Sequence, residues 1–346
     1  MSARLLVTVL RDPGTAASLD GRGWTALIAA ARAERLIGTL AFRIGDLPVP
    51  EAVTAILRDA RLDAEREARQ ALWEANRAVE ALAPINVPVL LLKGTAYAAA
   101  GLSAGEGRFI GDLDILVPLD RMPDVEALLL RAGWEWVKQD AYDDAYYRQW
   151  MHELPPLIHR ERDRMIDVHH TILPLTARQR PDAGMLLANA VPISGRLSVL
   201  SPEAMVCHAA AHLLADGDLA GGLRNLWDIH RLCCEFSERC PDFFLTLEEE
   251  AACHGLSEAV GRALRLSHAL YGTPLKAYRS PIRGEYRLRR SDQLFIRRLL
   301  ARDGWGRETR KPLRFAFYVR SHWLRMPPIM LARHLWTKWR KGHRPV

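Results

Sequence analysis

The chain has 346 residues, 49% of them hydrophobic and 26% charged, with a formal net charge of +7. That length and apolar content suffice for a sizeable core spread over two or three subdomains. No apolar run approaches bilayer-spanning length, so no transmembrane segment is expected, and the Met-Ser-Ala-Arg start lacks the apolar stretch of a signal peptide. The five cysteines (Cys207, Cys233, Cys234, Cys240, Cys253) show neither zinc-type pairing nor a disulfide framework, which points to reduced thiols and a cytoplasmic protein.

Residues 5–10 are a short apolar run followed by turn signals at Asp12-Pro-Gly, and from Trp24 to Ile44 apolar residues recur at helical spacing. Pro48-Val-Pro50 breaks that pattern. Glu51 to Leu82 then reads as one long helix, interleaved with Arg and Glu and ending before Pro84. This lead-in packs against the rest of the chain or walls one side of a cleft.

Val87 to Leu92 suits a buried strand, and Lys93-Gly94-Thr95 interrupts it before the helix-forming run Thr95-Ala-Tyr-Ala-Ala-Ala. A helix starting there would aim free backbone N–H groups at a phosphate. Gly94 would permit close approach, Thr95 could cap the helix or donate to the phosphate, and Lys93 could add a point charge. An ordinary strand-to-helix turn would also satisfy Gly-Thr alone. Asp112 and Asp114 follow in an apolar strand, and residues i and i+2 of a strand share a face. Two carboxylates so placed repel unless a cation sits between them, and Mg²⁺ (or Mn²⁺) with its oxygen ligands meets that need. Two solvated acids at a strand end are the alternative. Arg108, just before them, could neutralise a triphosphate or simply lie in its glycine-rich loop.

Past a helix at 124–132 and a strand at Trp134-Glu-Trp136, residues 140–151 are rich in Tyr and Asp and read as an amphipathic packing helix, with stacking of Tyr142, Tyr146, Tyr147 and Trp150 on a base or sugar as the alternative. Leu157-Ile-His159 and Met165 to Ile172 form a hairpin around the charged turn 160–163. Asp167 and His169 face one side of that second strand, Ile166 and Val168 the other. Asp167 would be a third metal ligand or the base toward an attacking hydroxyl. His169 could hold Asp167, touch substrate, or be structural.

Ser201-Pro202-Glu203 is a helix start signal. His208 and His212 share a face of that helix, but the glutamate of a zinc-protease motif is missing. Pairing with Asp228 on a neighbouring helix is the reading adopted. Gly221-Gly222 separates this helix from one at 223–236, and a further helix spans about 247–271. Residues 279–346 hold 19 Lys/Arg against 4 Asp/Glu, leaving 29 against 37 on the remainder. Such a tail, with Trp305, Phe315, Phe317, Tyr318, Trp323, Trp336 and Trp339 among its arginines, suits RNA, an anionic membrane surface, or packing on the body with snorkelling arginines.

Lys93-Gly94-Thr95, Arg108, Asp112-x-Asp114 and Ile166-Asp-Val-His169 together resemble the nucleotidyltransferase superfamily with a polymerase-β-like core. Within it the chain is similar to the uncharacterised bacterial nucleotidyltransferase family. Ser201-Pro-Glu, His208, His212 and Leu226-Trp-Asp228-Ile resemble that family's helical C-terminal half, so the likeness covers roughly residues 85–235. It implies an α+β fold with a small mixed sheet, Gly94 and Thr95 as the phosphate turn, Asp112 and Asp114 as metal ligands, and Asp167 as the third acid. His169, His208, His212 and Asp228 would border the substrate. The gap from Thr95 to Asp112 exceeds the standard superfamily pattern and resembles that of abortive-infection nucleotidyltransferase toxins.

The expected organisation is a helical part at 1–84, the core at 85–175, a helical domain at 176–278 and the basic tail at 279–346. The expected reaction is Mg²⁺-dependent transfer of a nucleoside monophosphate from an NTP to a hydroxyl of an unread acceptor (small molecule, peptide or RNA). The alternatives are a toxin-like enzyme acting on tRNA and a catalytically inactive binding module.

Overall fold

Among the described residues, seven short strands build one mixed sheet in the order β3-β4-β5-β2-β1-β7-β6. They are β1 (Val89–Leu91), β2 (Asp112–Leu116), β3 (Trp134–Trp136), β4 (Leu157–His159), β5 (Met165–His169), β6 (Val191–Ser194) and β7 (Leu197–Val199). The structure, a computed structural model, describes residues 2–137, 147–275, 288–325 and 336. Most of the packing helix expected at 140–151 lies outside the described residues.

β1 and β2 lie in the middle of the sheet: β1 is wholly apolar and buried, as a strand covered on both faces requires, whereas β2 carries Asp112 and Asp114 among its apolar residues. Leu90, Leu91, Ile115, Leu116 and Val117 are fully buried. β2 runs antiparallel to β1 and parallel to β5, and β4 returns antiparallel to β5 through the expected charged turn. The sheet continues past the 85–175 stretch: β7 pairs in parallel with β1, and β6 closes the edge through a turn at Gly195, which has φ 57°.

The long helix Glu51–Ala81 lies within a residue of its expected bounds. Its buried stripe is Val53, Leu57, Ala60, Ala64, Ala71, Ala75 and Ala78, mostly small side chains that let the helix approach closely. One acid interrupts the stripe. Glu74 is buried and takes three contacts from Arg162 at 2.8, 3.1 and 2.9 Å, fastening the β4–β5 turn to the helix. The apolar run near the N-terminus is itself a helix, Ser2–Arg11, and the stretch to Ile44 is two helices, Gly21–Ala33 and Ile37–Ile44.

Ser201 caps the helix Pro202–Ala211, accepting from the Ala204 N–H at 3.2 Å, and that helix runs on into a π-helical turn, His212–Asp216. The helix expected over about 247–271 is two helices, Phe243–Cys253 and Ser257–Tyr271. Gly255 stops the first at φ 65°, and the Leu256 N–H reaches back to the Ala251 carbonyl at 2.7 Å, a Schellman closure.

The described part of the tail docks on the body through Arg290–Leu299 and Lys311–Arg325. Arg302 donates to Glu34 at 2.7 Å, Asp292 receives Arg262 and Arg265, and Phe295 meets Phe317 edge-on at 5.0 Å. Phe317 is buried, whereas Trp305, Phe315, Trp323 and Trp336 remain exposed. Among the described residues no helix is long and apolar enough to cross a membrane.

Candidate active site

Parallel pairing of β2 with β5 sets Asp114 directly beside Asp167. Side chains in register on adjacent strands share a face, and Asp112 joins them two residues before Asp114. One carboxylate oxygen from each of the three lies within 4.8 Å of the others. Ile166 and Val168 point the opposite way and are 1% exposed. Asp112 is exposed, Asp114 buried and Asp167 half-buried, so the group opens outward from the sheet.

β1 delivers a cation to the same place. The Leu92 N–H donates to the Asp114 carbonyl at 3.0 Å, which brings the end of β1 level with Asp114. Lys93 follows with φ 48°, at the start of the helix Lys93–Ala99, and its Nζ sits 2.5 Å from Asp114 Oδ1. His169 Nε2 lies 3.1 Å from that same oxygen, and its Nδ1 lies 3.3 Å from Glu153 Oε2. His169 thus holds Asp114, not Asp167. Burial alone would raise the Asp114 pKa, but Lys93 and His169 outweigh it and keep the carboxyl well below the usual range. Burial opposes the charge on Lys93 as well, yet Asp114, backed by Asp112 and Asp167, holds it protonated. Asp167 has no such cation. Burial, then Asp114 and Glu153, push it up to about 7.

This donor set fits a hard divalent ion. It is all carboxylate oxygen, and both contacts on Asp114 fall on Oδ1. Asp167 Oδ1 is buried without a hydrogen-bond partner, an arrangement that a cation would relieve.

Asp167 also has a signature without metal. Its folded pKa is raised, so its contribution is fully present below about pH 4 and is lost as pH rises through about 7. Three pH units set a ceiling of about 4 kcal/mol, and partial exposure brings the effect nearer 2 kcal/mol. Asp167→Asn should therefore raise the melting temperature of the metal-free protein by several degrees at pH 8 and leave it unchanged near pH 4. An equal shift at both pH values in calorimetry would contradict the assigned crowding.

Gly94 is closely hemmed in by Arg108 and Ile110. A Cβ there would lie 2.5 Å from Arg108 Nε, 3.0 Å from Arg108 Cδ and 3.2 Å from Ile110 Cγ1. The absent side chain makes room for Arg108, which crosses over the turn, faces the Tyr97 ring and pairs with Asp228. Arg108 cannot swing away cheaply while that pair holds. Gly94→Ala should accordingly cost about 1–3 kcal/mol by overpacking, read as a fall in denaturation midpoint. Thr95 beside it is 1% exposed, and its Oγ1 is buried without a partner.

Asp228 takes two arginines in place of the expected histidine partners. Arg224, one turn earlier on the helix Gly222–Arg239, and Arg108 from the glycine-rich loop both reach it. A carboxylate 2% exposed is better compensated by fixed cations than by a neutral imidazole. His208 is buried in the helix Pro202–Ala211, where burial and then nearby Lys93 hold it neutral. His212 opens the π-helical turn one helical turn on. Sequence reasoning missed Arg224, Glu153 and His152. The i,i+4 spacing of Arg224 and Asp228 was a usable signal, but nothing periodic marks the other two.

A family model described as an uncharacterised nucleotidyltransferase matches residues 20–272. Curated proteins give no match.

Proposed function

The chain belongs to this uncharacterised nucleotidyltransferase family, and we propose that it transfers a nucleoside monophosphate from an NTP to an acceptor hydroxyl in a Mg²⁺- or Mn²⁺-dependent reaction. The observation that carries the reading is the convergence of Asp112, Asp114 and Asp167 within 4.8 Å beside the Lys93-Gly94-Thr95 turn. In the reaction the acceptor oxygen bonds to the α-phosphorus, the bond to the bridging oxygen breaks, and pyrophosphate leaves.

Asp112, Asp114 and Asp167 would hold the cation, which when bound offsets the charge of the phosphates. Lys93 fixes Asp114 and adds positive charge beside the triphosphate. Backbone N–H groups at Gly94 and Thr95, unbonded at a helix start, orient the β- and γ-phosphates. In a site where Asp112 and Asp114 alone hold the cation, Asp167 instead takes the proton of the acceptor hydroxyl. Arg108 is held by Asp228 and would contribute by sharing its guanidinium with a phosphate. His169, His208 and His212 would line the approach.

Incubation with each α-labelled NTP, Mg²⁺ or Mn²⁺, and fractionated cell extract tests the reaction and reads out the acceptor. Label should pass to one acceptor class (small molecule, peptide or RNA) with metal-dependent pyrophosphate release. If calorimetry detects no metal-dependent affinity for any NTP, the chain is a binding module that retains the fold.

A further inference from the structure

Beside the carboxylates lies a group of different chemistry. The segment after the described helical turn at 147–150 runs antiparallel to the end of β5: Glu153 bridges His169, the Leu154 N–H donates to the Val168 carbonyl at 2.9 Å, and the His170 N–H donates to the His152 carbonyl at 2.9 Å. This pairing brings one ligand atom each from His152, Glu153 and His169 within 4.8 Å of the others. The two imidazoles lie 5.1 Å apart, tilted by 31°.

The two nitrogens of His169 face different neighbours. Nε2 lies 3.1 Å from Asp114 Oδ1. Nδ1 is buried 3.3 Å from Glu153 Oε2 and has no hydrogen-bond partner. His152 Nδ1 is likewise buried without a partner, in a residue 9% exposed. Two buried imidazoles, each with a nitrogen lacking a hydrogen-bond partner, thus sit with a carboxylate in a donor set suited to a cation.

We propose that His152, Glu153 and His169 form a second metal site, selective for a borderline transition ion such as Zn²⁺ over Mg²⁺. Two nitrogens and one oxygen suit zinc, whereas magnesium prefers oxygen alone. Asp114 completes the pattern: a carboxylate accepting from the far nitrogen of a ligating histidine orients the ring and raises its basicity. A zinc ion here would staple the 152–154 segment to β5 and fix the His169 ring that supports Asp114. The inference does not depend on nucleotidyl transfer, so either can fail alone.

The full-length chain, stripped with a chelator, is titrated with zinc chloride against a chromophoric competitor. The expected result is one tight equivalent per chain, weakened by at least roughly 100-fold in His152→Ala and Glu153→Gln, a loss larger than that from a supporting residue. Asp112→Asn should bind zinc unchanged, and millimolar magnesium chloride should not displace it. His152→Gln, checked by circular dichroism, keeps the test valid if the alanine variant unfolds. The proposal is overturned by three results: no stoichiometric zinc, zinc binding indifferent to His152, or zinc lost equally in Asp112→Asn. It is also overturned if nitrogen NMR finds both ring nitrogens of His169 protonated in the presence of zinc, which would make the ring an imidazolium bridging Asp114 and Glu153.

Discussion

Asp112→Asn should lower metal-dependent pyrophosphate release by roughly 10³-fold, the equivalent of several kcal/mol of lost charge stabilisation, while barely changing stability. Asp112 is exposed and forms no ion pair among the described residues, so folding loses almost nothing when its charge goes. Asp114→Asn should reduce turnover as severely and destabilise the fold as well. Lys93 would then keep a charge on a side chain 24% exposed without its partner at 2.5 Å. About 2 kcal/mol is expected, below the range for fully buried pairs because Lys93 is partly wetted. Adding Lys93→Met to Asp114→Asn should restore most of that stability and none of the turnover. Full activity in Asp112→Asn would remove the metal reading at once.

The carboxylates were legible because their arrangement is local at each end. Asp112 and Asp114 are two apart in an apolar run, and Asp167 alternates with Ile166 and Val168. A period of two betrays a strand face even where nothing reveals the partner strand. The register that sets Asp114 against Asp167 is a long-range property, and only the shared acidity of the two faces hinted at it. Glu51–Ala81 was legible for a related reason, since a long amphipathic helix bounded by Pro50 and Pro84 repeats its signal many times. Short elements fared worse. β6 and β7 are three or four residues each, too few for a period to show, and Gly255 splits a helix without disturbing the apolar pattern on either side. The partners of Asp228 were misjudged because charge compensation in a core depends on which cation folding brings near, and Arg108 is 120 residues away.

That same pair carries the largest expected effect on stability. Asp228→Ala would strand two guanidinium groups, with the Arg108 and Arg224 side chains 13% and 6% exposed. Removing one member of a buried ion pair typically costs 3–5 kcal/mol, and here one carboxylate serves two arginines, so the upper end of that range applies. Arg224 cannot relax into solvent, since its other arm donates to Thr39 Oγ1 at 2.5 Å. Arg108 is less constrained. Once Asp228 no longer holds it, its side chain can leave the space above Gly94, and the collision that makes Gly94→Ala costly disappears. The two substitutions should therefore be non-additive: Gly94→Ala, costing about 1–3 kcal/mol in the parent, should cost about half as much or less in Asp228→Ala. Denaturant midpoints of the four proteins in the cycle measure this directly. Strictly additive costs would mean that packing against Tyr97 and Ile110, and not the carboxylate, keeps Arg108 over the turn.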